Sequence, residues 1–274
     1  MALKSMKSGL ARTLAFAALA VGLGGGVTAM AAGGGDSSYE MEHRHWHFQG
    51  MRGTYDIEAM QRGYQVYREV CAACHALEHL AFRHLGDKNA PWYDKKYPNP
   101  NDNPHVKAFA ADWLIEDIDS ETGDIIERTG LPADKFPPIF PNDAAARGSN
   151  GGALPPDLSL IVAARGGGAD YLYNLLTAYS ANEADGGGLY DNPVMDGGKI
   201  AMAPPLTDGL VDYADGTDAT IEQMAADVTE FLAWTSDPKL AQRKSLGFAT
   251  MIYLLILSIL LWFSYKRVWR DVGH

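Results

Sequence analysis

VCAACHALEHL, residues 70–80, holds both cysteines of the 274-residue chain, three positions apart, with a histidine directly after the second. Read as part of one helix over 56–84, Cys71, Cys74 and His75 stand at i, i+3 and i+4 and share a face. A flat ring lying on that face is bonded by both sulfurs while the imidazole reaches a metal at its centre. For that geometric reason C-x-x-C-H is the attachment pattern of c-type haem. A disulfide between i and i+3 would close a tiny loop and stabilise little. A thioredoxin-like redox pair needs a βαβ setting, and none is visible around the motif. A zinc site drawn from the cysteines with two of His75, His79 and His84 has no usual finger spacing. The sequence therefore predicts one covalently bound haem c, with His75 on its iron.

Outward from the motif the chain reads as all-α with long loops. Residues 86–160 are rich in Pro, Asn, Asp and Gly, as in YPNPNDNP (97–104) and FPPIFPND (136–143). Loops that long in a compact domain are usually functional. One short helix is predicted over 106–115, a clear one over 170–180 and another over 221–234. The last opens on a T-x-x-Q capping box, Thr220 and Gln223, and repeats apolar residues at helical spacing. Strand signals are few. Gly63 and Tyr67 lie at i, i+4 before the motif. The alternating His43, His45 and His47 have nothing nearby to complete a metal cage and read as part of a docked N-terminal arm.

The two ends belong to a different environment. Lys4, Lys7 and Arg12, then the apolar run 14–23, then Ala29-Met30-Ala31, have the layout of a bacterial export signal over 1–31. Residues 247–265 carry no charge and span roughly 28 Å as a helix, about one hydrocarbon core. Trp262, Tyr265 and Trp269 suit an interfacial belt. Three basic residues precede this span and three follow it, so the positive-inside rule does not orient it. The export signal does: a haem domain over 32–238 on the periplasmic side of the inner membrane, and an anchor with a short cytoplasmic tail over 239–274. Residues 32–238 hold 14 basic and 33 acidic residues, a net charge of −19. Such a surface excludes nucleic acid and anionic lipid as partners and attracts basic proteins.

A methionine on the far side of the iron would raise its potential and suit electron transfer. Met224 lies on the core face of a helix, Met251 in the membrane span, and Met41, Met51 and Met60 just before the motif. Met195 and Met202 remain. The two prolines after Met202 stiffen its backbone and favour it modestly.

QRGYQVYREVCAACH (61–75) with RHL (83–85), NGGALPPDLSLIVAARGGGADYLYNLLTAY (150–179), IAMAPPL (200–206), DGTDATIEQMAADVTEFLAW (215–234) and the anchor closely resemble, in order, the cytochrome c1 family. These are the haem subunits of cytochrome bc1 (quinol:cytochrome c oxidoreductase) complexes. The resemblance implies a cytochrome c-like fold, attachment through Cys71 and Cys74, and His75 and Met202 as the fifth and sixth ligands. In the cytochrome c folds that this chain resembles, a small residue at the position of Gly63 lets the first and last helices cross closely, with the 221–234 helix as the expected partner. It implies that Arg165 faces a haem propionate and that Asn150, Pro155, Pro156 and Tyr171 line the pocket. It also implies cytochrome b, a Rieske iron–sulfur protein and a soluble or membrane-tethered cytochrome c as partners in a dimeric complex. The subunit then relays electrons and is not catalytic alone. A tethered carrier outside any complex and an open-site haem enzyme are the competing readings. Some bacterial members stiffen the methionine loop with an extra disulfide. No cysteine is left for one here, so Met202 is expected to be held by packing alone.

Overall fold

The computed structural model describes residues 39–180 and 183–271; the expected export signal lies outside them. The described chain is largely helical. Its order is α1 (Ile57–Glu69), α2 (Pro104–Ala111), β1 (Leu114–Ile118), β2 (Ile125–Thr129), α3 (Asp143–Ser149), α4 (Ile161–Ala164), α5 (Gly168–Thr177), β3 (Tyr190–Asp191), β4 (Lys199–Ile200), α6 (Ile221–Ser236) and α7 (Leu240–Val268). β1–β2 and β3–β4 are separate antiparallel pairs.

α1 begins where Asp56 accepts hydrogen bonds from the backbone of Glu58 and Ala59. It ends at Glu69, not at residue 84, which corrects the sequence reading. Val70 caps the helix, its N–H still bonded to Val66 O, and Cys71–Ala73 form a single 3-10 turn. The backbone beyond cannot continue the helix because a second segment, 156–159, claims it. Leu158 N donates to Ala76 O at 2.9 Å, while Glu78 N and His79 N donate to the Asp157 and Ser159 side chains. The predicted 106–115 helix is shifted to Pro104–Ala111, opened by Asn103 with proline in the first turn. Trp113 and the β-branched Ile115 then lead into a hairpin that the sequence reading did not anticipate.

α1 and α6 cross at Gly63, as the resemblance led us to expect. A Cβ there would lie 2.6 Å from Asp227 C and 2.8 Å from Phe231 Cβ, and closer still to Asp227 O. Tyr64 and Tyr67 flank the crossing and meet Phe231 with ring centroids 5.6 and 6.0 Å apart. Arg62 grips the buried Asp227 with two hydrogen bonds of 2.9 Å. Thr220 caps α6 by accepting from Gln223 N, but the Gln223 side chain runs forward to Asp227 rather than back.

Glu230, also on α6, accepts a hydrogen bond from Asp56 N at 3.0 Å. Burial, with Asp56 and Asp227 nearby, pushes its carboxyl from 4.5 up to about 7. The folded state therefore binds more protons than the unfolded one between those values, and stability falls as pH rises through that window. Glu230→Gln keeps the acceptor and removes the charge. It is expected to gain on the order of 1–3 kcal/mol over the parent at pH 8 and little at pH 4. Thermal unfolding at the two pH values checks this, and an equal gain at both would contradict it.

α7 has 29 residues and is long and apolar enough to cross a membrane, with none of its apolar window buried in the protein. A helix apolar all round and left bare suits lipid, not water. Its first turns are tied to the haem-motif domain. Lys244 Nζ donates to Phe48 O (2.6 Å) and Gly53 O (3.1 Å), and Arg243 pairs with Asp237 at 2.5 Å. The Tyr55 hydroxyl lies 3.0 Å from Ala233 O and 3.2 Å from Asp237 O.

Candidate haem site

Cys71 opens the 3-10 turn that follows α1 and Cys74 caps its end, so they are not on the face of a continuing α-helix. In such a turn residues i and i+3 stand above one another, and the spacing still places the two thiols one turn apart. Cys74 N and His75 N both donate to Cys71 O, at 3.1 and 2.9 Å. The thiols are unbonded to each other. Burial, reinforced by Cys74, pushes the Cys71 thiol up to about 12, the opposite of what a redox thiolate needs.

His75 is oriented by a residue 81 positions away. Its Nδ1 lies 2.8 Å from Pro156 O. A carbonyl only accepts, so Nδ1 carries the proton and Nε2 keeps its lone pair. Burial lowers the pKa, only partly opposed by Pro156 and Asp157, and favours the neutral ring. A donor nitrogen fixed by a hydrogen bond on the other nitrogen is how proteins prepare a metal-bound histidine. Tyr67 Oη donates to His75 O at 3.1 Å.

The segment that supplies Pro156 is itself clamped. Besides the backbone bond from Leu158, Asp157 accepts from Glu78 N (2.8 Å) and from Ser159 N (2.8 Å), and Ser159 Oγ accepts from His79 N (3.1 Å). The sequence reading named Pro155 and Pro156 but missed Asp157, Ser159 and Tyr67. The Asp-x-Ser turn signal was available locally; its pairing with residues 76–79 was not. Asn150 closes α3 by donating from Nδ2 to Ala146 O at 2.7 Å.

A second group forms at the start of α5. Arg165 is exposed and makes no ion pair among the described residues. It stands beside Tyr171, whose phenol is raised by burial and drawn back by that guanidinium. Tyr171 Oη donates to Met195 Sδ at 3.3 Å, so the sulfur of one candidate ligand already has a partner.

The third group surrounds Met202, which is half-buried against the core. It is held by more than packing, contrary to expectation. Tyr179 Oη donates to Met202 O at 3.0 Å. Just upstream, β3 pairs with β4, and Lys199 bridges Asp185 and Asp191 at 3.0 and 2.8 Å. The fully buried Asn192 donates from Nδ2 to Leu175 O at 2.8 Å, fastening this loop to α5.

Of the three histidines in the N-terminal arm, His43 takes part in its docking. His43 Nδ1 meets Asp170 Oδ2 at 2.9 Å, and Trp46 Nε1 donates to Asp170 Oδ1 at 2.6 Å. Asn174 exchanges hydrogen bonds with the backbone of Glu42. Among the described residues, no three His, Cys, Asp or Glu side chains come together to hold a metal ion.

This donor set fits a c-type haem. It offers two unpaired thiols one turn apart, a neutral imidazole with its outer nitrogen committed, a thioether on a fastened loop and an exposed guanidinium beside Tyr171. The family model described as Cytochrome C1 family matches residues 46–272. The chain is 37% identical over 286 residues to cytochrome c1 of Rhodospirillum rubrum, covering 96% of this chain and 98% of that protein. It is 43% identical over 232 residues to the mitochondrial cytochrome c1 heme protein of Saccharomyces cerevisiae, covering 83% and 71%. It is 42% identical over 248 residues to the cytochrome b/c1 of Bradyrhizobium diazoefficiens, covering 82% of this chain but only 35% of that longer protein. The family model and the relative matched over nearly its whole length agree, and the chain belongs to the cytochrome c1 family.

Proposed function

We propose that this chain is the electron-relaying subunit of a quinol:cytochrome c oxidoreductase, holding one haem through thioethers from Cys71 and Cys74. It receives electrons from a Rieske iron–sulfur protein and delivers them to a cytochrome c, beside cytochrome b in a dimeric complex. The observation that carries this reading is the His75 Nδ1 to Pro156 O bond next to two unpaired thiols. When bound, the haem supplies a reversible one-electron couple between ferric and ferrous iron. The protein's part is positioning. Pro156 holds the imidazole so that Nε2 points away from the 156–159 strap. Thioether formation would leave Cys71 uncharged, which suits its burial. Met202 brings a soft sulfur that favours the ferrous state. Arg165 supplies an exposed guanidinium for a propionate, with Tyr171 beside it, and Asn150 and Pro155 complete the lining.

The export signal over 1–31, the periplasmic domain over 32–238 and the anchor over 239–274 place the chain in the bacterial inner membrane with a cytoplasmic C-terminus. The acidic surface steers a basic electron acceptor, an effect that weakens as salt shortens the Debye length.

The choice of sixth ligand has a direct test. Met202→Leu is expected to abolish the weak near-infrared band that methionine gives on ferric haem. It should lower the potential by on the order of a few tenths of a volt, within the roughly 0.8 V range that axial ligands command. Met195→Leu should leave band and potential in place. The converse result would transfer the role to Met195.

A further inference from the structure

The β1–β2 hairpin is anchored on one face through Ile115 and Arg128 and is bare on the other. Register pairs Leu114 with Thr129, Glu116 with Glu127, and Ile118 with Ile125, so these six share a face. On it Leu114, Ile118 and Ile125 are 65%, 68% and 77% exposed. The opposite face is tied down. Ile115 packs on the core, and Arg128 reaches Asp117 at 2.5 Å and Asp134 at 2.6 Å. The base is closed by Gly130 N donating to Trp113 O at 2.9 Å. At the tip, Asp119 Oδ1 accepts from Glu121 N and Thr122 N. The bare face is therefore held in shape.

Two features of that face do not stabilise the free chain. Three large aliphatic side chains stay in water. Glu116 and Glu127, directly opposed at its centre, repel one another, and neither has an ion-pair partner among the described residues. Both features are relieved by one kind of neighbour. A cation between the two carboxylates cancels their repulsion, and aliphatic groups on either side cover Leu114, Ile118 and Ile125. A second copy of the chain brings the same two carboxylates to a symmetric contact and worsens the repulsion. A lipid surface would bury two unpaired acids.

We propose that the outer face of the β1–β2 hairpin is a docking surface for a different polypeptide that presents a lysine or arginine flanked by aliphatic side chains. The surface is separate from the Cys71–His75 segment and does not depend on the haem assignment.

Carbodiimide coupling of glycinamide to Glu116 and Glu127, read by mass spectrometry, tests this. Three preparations are compared: the purified full chain, the chain alone in phosphatidylcholine vesicles, and membranes holding the chain with its native neighbours. Both glutamates should label freely in the first two and fall to background in the third. The double variant Ile118→Ser, Ile125→Ser keeps both acids and should restore labelling in native membranes. Both positions are exposed, so its thermal unfolding should match the parent. Equal labelling in all three preparations overturns the proposal. So does protection in vesicles of the chain alone, which would mean lipid or a second copy, and so does protection that persists in the double variant.

Discussion

Cys71→Ser with Cys74→Ser is expected to yield a polypeptide from which all pigment is lost on denaturation, while the parent keeps its colour through a denaturing gel. Histidine and methionine hold a haem only while the fold brings them together; thioether bonds survive unfolding. The double variant also loses attachment while the protein is being made. The expectation is a chain that fails to accumulate with haem in the membrane. Haem staining after denaturing electrophoresis, beside an immunoblot for the chain, reads the two effects separately. Undiminished staining in the double variant would end the covalent reading.

Gly63→Ala should cost far more than one methyl group ordinarily does, because it falls where two buried helices cross. The added Cβ meets the Asp227 carbonyl group and Phe231 Cβ, and the backbone cannot swing aside as a flexible side chain would. The helices must separate, which strains the Arg62 grip on buried Asp227. Overpacking costs about 1–3 kcal/mol, and loosening a buried ion pair adds to it. A loss on the order of 3 kcal/mol or more is expected, with Tm lower by about 10 °C. α1 runs directly into Cys71, so displacement should also broaden the haem spectrum. Gly148→Ala is the control: it lies in α3 with nothing within 4 Å of the new methyl and should gain about 0.5–1 kcal/mol. Equal effects at the two glycines would refute the close-crossing argument.

What could be read from the chain was local or periodic. The apolar repeat and Thr220 cap located α6 to within two residues at its end. The uncharged run located the exposed apolar helix, and the Cys-x-x-Cys-His spacing located the turn that carries both thiols. Non-local features were out of reach. Directly beyond the 3-10 turn the chain is not helical because residues 156–159 take the backbone bonds of 76–79, and nothing within 56–84 announces a competitor so far downstream. The β1–β2 hairpin was hidden for a related reason: acidic and apolar residues mix along it because only one face is packed, which blurs the alternation that marks a half-buried strand. Pro156 was placed in the pocket by resemblance, but its carbonyl bond to His75 required the fold. The clamp by Tyr179 and Asn192 on the methionine loop joins segments up to 23 residues apart; within the loop itself the two prolines after Met202 were the legible restraint.

Lys244 and the Asp237–Arg243 pair weld the lipid-facing helix to the domain it carries, three residues after α6 ends. There is no slack tether between them. Cys71 and His75 thus belong to the same welded piece as the first turns of that helix. Whatever exchanges charge with this molecule has to do the travelling.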